Sequence, residues 1–146
     1  MNAAAPSRLS LRSFFFAFLW VSLFVHPSEI ARYLFFVMPM TREFLAALPD
    51  AAPLDPFVFA SWGVWTSILA SVMVVSAWLS AARFGPGLGS AFFAGGFVWI
   101  AFFVLFWLGA INMGVGSPGA AVIALPWALA ECLIACVIAR WSLKPA

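Results

Sequence analysis

Apolar residues fall in four long blocks, separated by a short polar lead, one long polar connection and two glycine-rich turns. The first block is interrupted. Phe14 to Val25 is followed by His26-Pro27-Ser28-Glu29, and apolarity resumes from Ile30 to Met38. A hydrocarbon core of about 30 Å takes about twenty helical residues, so the stretch before His26 cannot cross alone. Leu11 to Val37 therefore reads as one long helix, kinked near Pro27. Proline also permits a second reading, in which the helix stops at Val25 and Ile30 to Met40 is a re-entrant or interfacial piece.

Asp55-Pro56 is a helix start, a capping carboxylate followed by proline at the first helical position. It opens a second span, Pro56 to Ala82, with small residues Ala60, Gly63, Ser67, Ala70 and Ala77 along one side, a pattern that lets helices approach closely in lipid. Ser90 to Ala110, crowded with Phe and Trp, reads as a third span with wide lipid exposure. Its Ala91 and Gly95 offer one small-residue contact. Ala120 to Ala139 reads as a fourth span, with Pro126 inside it. In the long connection, Thr41 is placed to cap a short helix, Arg42 to Leu48, whose Phe44, Leu45 and Leu48 share an apolar side and would lie on the membrane surface. The expectation is an all-α, integral membrane four-helix bundle. It forms a single transmembrane domain over 1–146, with spans near 11–37, 56–82, 90–110 and 120–139 and an interfacial helix in the first extracytoplasmic loop.

Composition narrows the class further. Of 146 residues, 66% are hydrophobic and 8% charged, against about 25% charged in soluble domains. The net charge of +2 comes with no basic run, which argues against a nucleic-acid partner. Arg8 and Arg12 before an apolar stretch resemble the start of a secretory signal, but no small-residue cleavage site follows, so an uncleaved first helix is expected. Cys132 and Cys136 share a helix face with parallel Cα–Cβ bonds, a poor approach for a disulfide, and read as small packing residues. The run Gly85-Pro86-Gly87-Leu88-Gly89 reads as a turn, since a phosphate loop needs a preceding strand and a following lysine.

Four spans put both termini on one side, with Arg8, Arg12, Arg83, Arg140 and Lys144; Arg32 and Arg42 lie on the other. The excess of cationic residues predicts a multi-pass protein of a cell membrane, of the bacterial inner-membrane type, with both termini cytoplasmic.

The polar chemistry is sparse. Glu131 lies about 15 Å below the outer boundary if the fourth span enters near Ala121, close to the midplane. It shares a face with Ala124, Ala128 and Ala135, so it should point into the bundle. His26, Glu29 and Arg32, at three-residue spacing, form a polar side on the first helix. Depth places His26 about 10 Å and Glu29 about 6 Å below the same boundary, so contact between His26 and Glu131 is expected. These four residues form the candidate intramembrane polar site. Burial by itself favours a neutral carboxyl, so a membrane glutamate is not in itself a transport signal. One histidine is too few for a metal site or for bis-histidine haem, and no nucleophile framework is present, so no metal, cofactor or enzymatic activity is expected.

Three functions are compatible with this pattern. The first is a structural or accessory component that associates with itself or with a larger membrane complex. The second is a small oligomeric proton-coupled transporter using Glu131. In size, span number and one membrane-embedded glutamate, the chain resembles the small multidrug resistance exporters. That resemblance covers architecture and no motif, since the family's essential glutamate lies in the first helix and Glu131 in the fourth. The third is a lipid- or quinone-binding protein using the aromatic third span as a wall.

Overall fold

The computed structural model describes residues 9–46 and 56–143. α1 (Leu11–Arg32) starts at Ser10, whose hydroxyl accepts the N–H of Ser13, satisfying one of the free donors of the first turn. The helix passes through Pro27 without a break. The missing N–H there removes one backbone bond, but Val25 and Glu29 on either side are buried in the bundle, and packing keeps the helix whole. The alternative that ended it at Val25 is set aside.

α1 widens into a π-helical turn, Tyr33–Val37, and continues as α2 (Met38–Ala46), so the first span covers Leu11–Arg42. Pro39 accounts for the widening. It has no N–H to close the next turn, and its ring would clash with the carbonyl four residues back. The surface helix expected from Arg42 is thus helical as far as Ala46, but as a continuation of the first span. Thr41 accordingly does not cap a new helix; its hydroxyl donates to the Val37 carbonyl within the continuous one, at 2.7 Å. Leu48 and the capping residue Asp55 lie outside the described residues.

α3 (Pro56–Phe84) is the second span and ends at Gly85, whose φ of +89° gives the left-handed turn that glycine makes without strain. The third span is α4 (Leu88–Trp99), a second π-helical turn, Ile100–Val104, and α5 (Leu105–Asn112). α6 (Pro118–Ser142) is the fourth, opened by Ser117 as cap and Pro118 in the first turn. All four are long and apolar enough to cross a membrane. Their directions alternate: Tyr33 meets Trp62, Ser28 meets Glu131, and Trp99 donates to the Leu125 carbonyl at 2.9 Å. Leu11 and Ser142 therefore lie at the same end of the bundle.

The two ends are built differently. Towards the termini the core is made of small and medium side chains, among them Ala17, Val21, Ala70, Ala77, Ala94, Ala135 and Ala139, all buried. Small residues let backbones approach closely, the main source of helix association where lipid is as apolar as the side chains. Gly95 shows how closely: a Cβ there would lie 2.8 Å from the Cys132 carbonyl oxygen. At the other end large aromatic side chains, Phe103 and Trp107 among them, join the small residues Ala110, Ala120, Ala121 and Ala124, and α3, which packs tightly on α4, makes no comparable contact with α5. The second and third spans diverge there.

The π-helical turns re-aim both helices beside this gap. In the third span the inward positions are Ala91, Ala94 and Val98, then Phe103, Trp107 and Ala110. The step from Val98 to Phe103 is five residues, where an α-helix would give three or four. In the first span the turn follows buried Arg32, and half-buried Val37 packs against Ala120, Ala121 and Ala124. The aromatics of the third span are consequently divided. Phe92, Phe93, Phe97 and Phe106 are exposed, as expected for lipid contact, whereas Phe103 and Trp107 are buried.

Candidate functional site

Polar groups meet at the junction of the two halves. Glu131 is 2% exposed. Its Oε2 accepts a hydrogen bond from the Ser28 hydroxyl, which in turn accepts the indole N–H of Trp127 at 3.1 Å. This chain ties the first span to the fourth. The other oxygen, Oε1, is buried and has no hydrogen-bond partner. The carboxyl of Glu29 lies near enough to interact with Glu131 directly.

Glu29 and Arg32, at 2% and 7% exposure, form an ion pair within α1, with Arg32 Nη2 2.5 Å from both Glu29 oxygens. Only Nη2 is engaged by the carboxylate. The usual fork of guanidinium on carboxylate uses two nitrogens, and here Nε is buried without an acceptor. The guanidinium lies over the ring of Phe103, 5.3 Å from its centre, a cation–π contact strengthened where water is excluded.

His26 faces elsewhere. Nδ1 is 3.0 Å from the Ser22 carbonyl oxygen and Nε2 is 3.4 Å from the Ser67 hydroxyl of α3. Among the described residues it makes no hydrogen bond with Glu131, contrary to the expectation from depth. Successive helical residues turn by about 100°, so His26 and Ser28 point to nearly opposite sides of α1. His26 is therefore turned to α3, and Ser28 to α6. Ser28 is the residue that sequence reasoning missed, and its only signal was its place between the buried positions Val25 and Glu29.

Replacing Ser28 by alanine and Glu131 by glutamine, singly and together, should give stabilities that fall short of additivity by about 1 kcal/mol, whereas His26→Leu with Glu131→Gln should be additive. Unfolding curves in detergent for the two cycles measure both.

Beside the ion pair, the gap between diverging helices forms a cavity of about 340 Å³ lined by Glu29, Arg32, Tyr33, Val37, Trp62, Trp65, Phe102, Phe103, Phe106 and Trp107. A second, of about 270 Å³, shares Glu29, Tyr33 and Trp62 with it and reaches Gly63. The small-residue stripe of α3 thus packs tightly at Ala70 and Ala77 but borders open space at Gly63, where an added Cβ would touch nothing. Trp65 and Phe106 are 40% and 64% exposed, so the mouth of the larger cavity opens sideways between α3 and α5. Its walls combine broad aromatic surfaces with one cation and one carboxylate. That is the composition of a site for a mostly apolar small molecule with a single polar end.

The other chemistry is inert. Cys132 and Cys136 are free and buried, and among the described residues no group of His, Cys, Asp and Glu is placed to hold a metal ion. Comparison with known protein families, curated proteins and solved structures finds no match for this chain. The geometry alone carries the functional reading.

Proposed function

We propose that this multi-pass membrane protein binds a small lipophilic molecule with a polar end, taking it from the bilayer into the cavity between its second and third spans. One observation carries the reading: a buried ion pair forms part of the wall of an otherwise aromatic cavity that opens towards lipid. Burying charge in apolar surroundings is costly, and a purely architectural ion pair would be expected to join two helices. Glu29 and Arg32 are three residues apart on one helix, and what the pair offers another span is a ring contact with Phe103, not a second ion pair. Their placement is better accounted for by a polar group that comes and goes.

The Ser28–Glu131 link supports a second, compatible role, since it does cross between helices. On that reading Glu131 fastens the first span to the fourth, and the protein acts as a structural or accessory partner in a larger membrane assembly or with copies of itself. The charge distribution supports cytoplasmic termini. With Arg32 engaged in the interior, Arg42 alone remains as an exposed cation on the far side, against Arg8, Arg12, Arg83, Arg140 and Lys144. The cavity then faces the outer leaflet.

Titration calorimetry of the protein in lipid nanodiscs with decanol, an uncharged ten-carbon amphiphile, tests the binding reading. A saturable component absent from empty nanodiscs, and lost in Val37→Trp, which fills the larger cavity, is expected. Partitioning indistinguishable from empty nanodiscs would refute it.

A further inference from the structure

We infer that the ligand is a lipophilic carboxylic acid, bound as a carboxylate on Arg32 together with one proton held between Glu29 and Glu131. The inference rests on the cavity-binding reading and deepens it by naming the polar end.

Two buried polar atoms at this site have no partner, and they lack opposite things. Arg32 Nε is a donor without an acceptor, and Glu131 Oε1 is an acceptor without a donor. An undissociated acid consists of the two missing pieces, an anion and a proton. Arg32 is nine-tenths buried and lines the cavity, and Glu29 occupies only one of its three nitrogens. A carboxylate entering from the aromatic side can take the two-nitrogen fork that Glu29 does not use. Its hydrocarbon part is then left among Trp65, Phe102 and Trp107.

Charge balance brings the proton. A third carboxyl beside Glu29 and Glu131, with one guanidinium for all, would leave excess negative charge in an apolar interior, which is strongly unfavourable. The exchange that avoids this is neutral. The ligand carboxylate displaces Glu29 from Arg32, a proton binds to Glu29, and the resulting carboxylic O–H donates to Glu131 Oε1. The site's net charge is unchanged and both unpartnered atoms acquire partners.

Of the other groups around Glu29, Glu131 is the one carboxyl, and it shares the proton. Along the first span these groups are His26, engaged by Ser22 and Ser67, and Tyr33; from α6 they are Glu131 and Cys132. Neither α3 nor the third span carries a titratable side chain in this region; Arg83, at the end of α3, is the one charged residue of the two. A phosphodiester headgroup also supplies the anion, but it must bring its glycerol and its headgroup alcohol into the same space of about 340 Å³, and it is a poor fit.

The experiment compares decanoate with decanol by calorimetry in nanodiscs, with empty nanodiscs subtracted, over a pH series and in two buffers of different ionisation enthalpy. Decanoate should bind more tightly than decanol, with uptake of about one proton per molecule, and its Kd should rise about tenfold per pH unit. Decanol should show neither effect. In Glu29→Gln, where Arg32 has no carboxylate to release, decanoate should bind more tightly than to the unaltered chain, without proton uptake and without pH dependence. Elution as a single species with an unchanged helical circular-dichroism spectrum establishes that this variant is folded. Should it not fold, the proton count on the unaltered chain decides, and a count of zero overturns the inference. Decanol binding with no preference for decanoate, or pH dependence that persists in Glu29→Gln, also overturns it while leaving the cavity reading intact. Saturable binding of neither molecule overturns both.

Discussion

Replacing Glu29 by alanine should destabilise the folded protein by about 3–5 kcal/mol, among the largest losses available to a single substitution in this chain. The reason lies in what is left behind. Arg32 is 7% exposed, and Glu29 is the group that holds its Nη2. Without it a cation is buried with only the Phe103 ring beneath it, and a ring does not replace a carboxylate. Adding Arg32→Met to Glu29→Ala should restore most of the lost stability, because the double variant removes both charges and refills the volume. Denaturation in mild detergent of the two single variants and the double distinguishes this from a general loss of packing. If the pair were merely decorative, Glu29→Ala would change little and the second substitution would worsen it.

The other large effect is expected at Gly95. An alanine Cβ there would lie 2.8 Å from the Cys132 carbonyl oxygen and 2.9 Å from Leu133 Cα. Both are backbone atoms of α6 and cannot swing aside. α4 and α6 would have to separate, disturbing the small-residue contacts of Ala91 and Ala94 and the bond from Trp99 to the Leu125 carbonyl. Gly95→Ala should cost about 1–3 kcal/mol, and Gly95→Val more, from overpacking alone. Gly96 is the internal control. Nothing lies within 4 Å of a Cβ there, so Gly96→Ala should be neutral or stabilising by about 0.5–1 kcal/mol, the helical preference for alanine over glycine. Thermal unfolding of the two neighbours side by side measures the difference.

Much of the architecture was legible because membrane spans are written in long apolar blocks. Glu131 was readable as inward-facing from the alanines at Ala124, Ala128 and Ala135, and it is buried with them. Glu29 and Arg32 were readable as partners from spacing. The pairing of His26 with Glu131 failed because helix length fixes depth and says nothing of angle. Two residues of difference, His26 against Ser28, separate the face towards α3 from the face towards α6. The cavity was hidden for a related reason. Its walls depend on the two π-helical turns, Tyr33–Val37 and Ile100–Val104. In segments apolar on every side, a shifted phase leaves no mark on the hydrophobic pattern. Pro39 was a visible cue for the first turn. The second has no proline within it, and the sequence offers no cue for it.

The contrast between the two ends bears on direction of travel. Where α4 and α6 touch backbone to backbone at Gly95, and Leu69, Met73 and Val74 fill the space beside them, nothing the size of a decyl chain can slip past. The fold is shaped as a cup, not a tunnel: on the binding proposal, a molecule that enters beside Trp65 and Phe106 departs by the same lip. If the binding proposal holds, such a protein is suited to holding or presenting a guest rather than conveying it across.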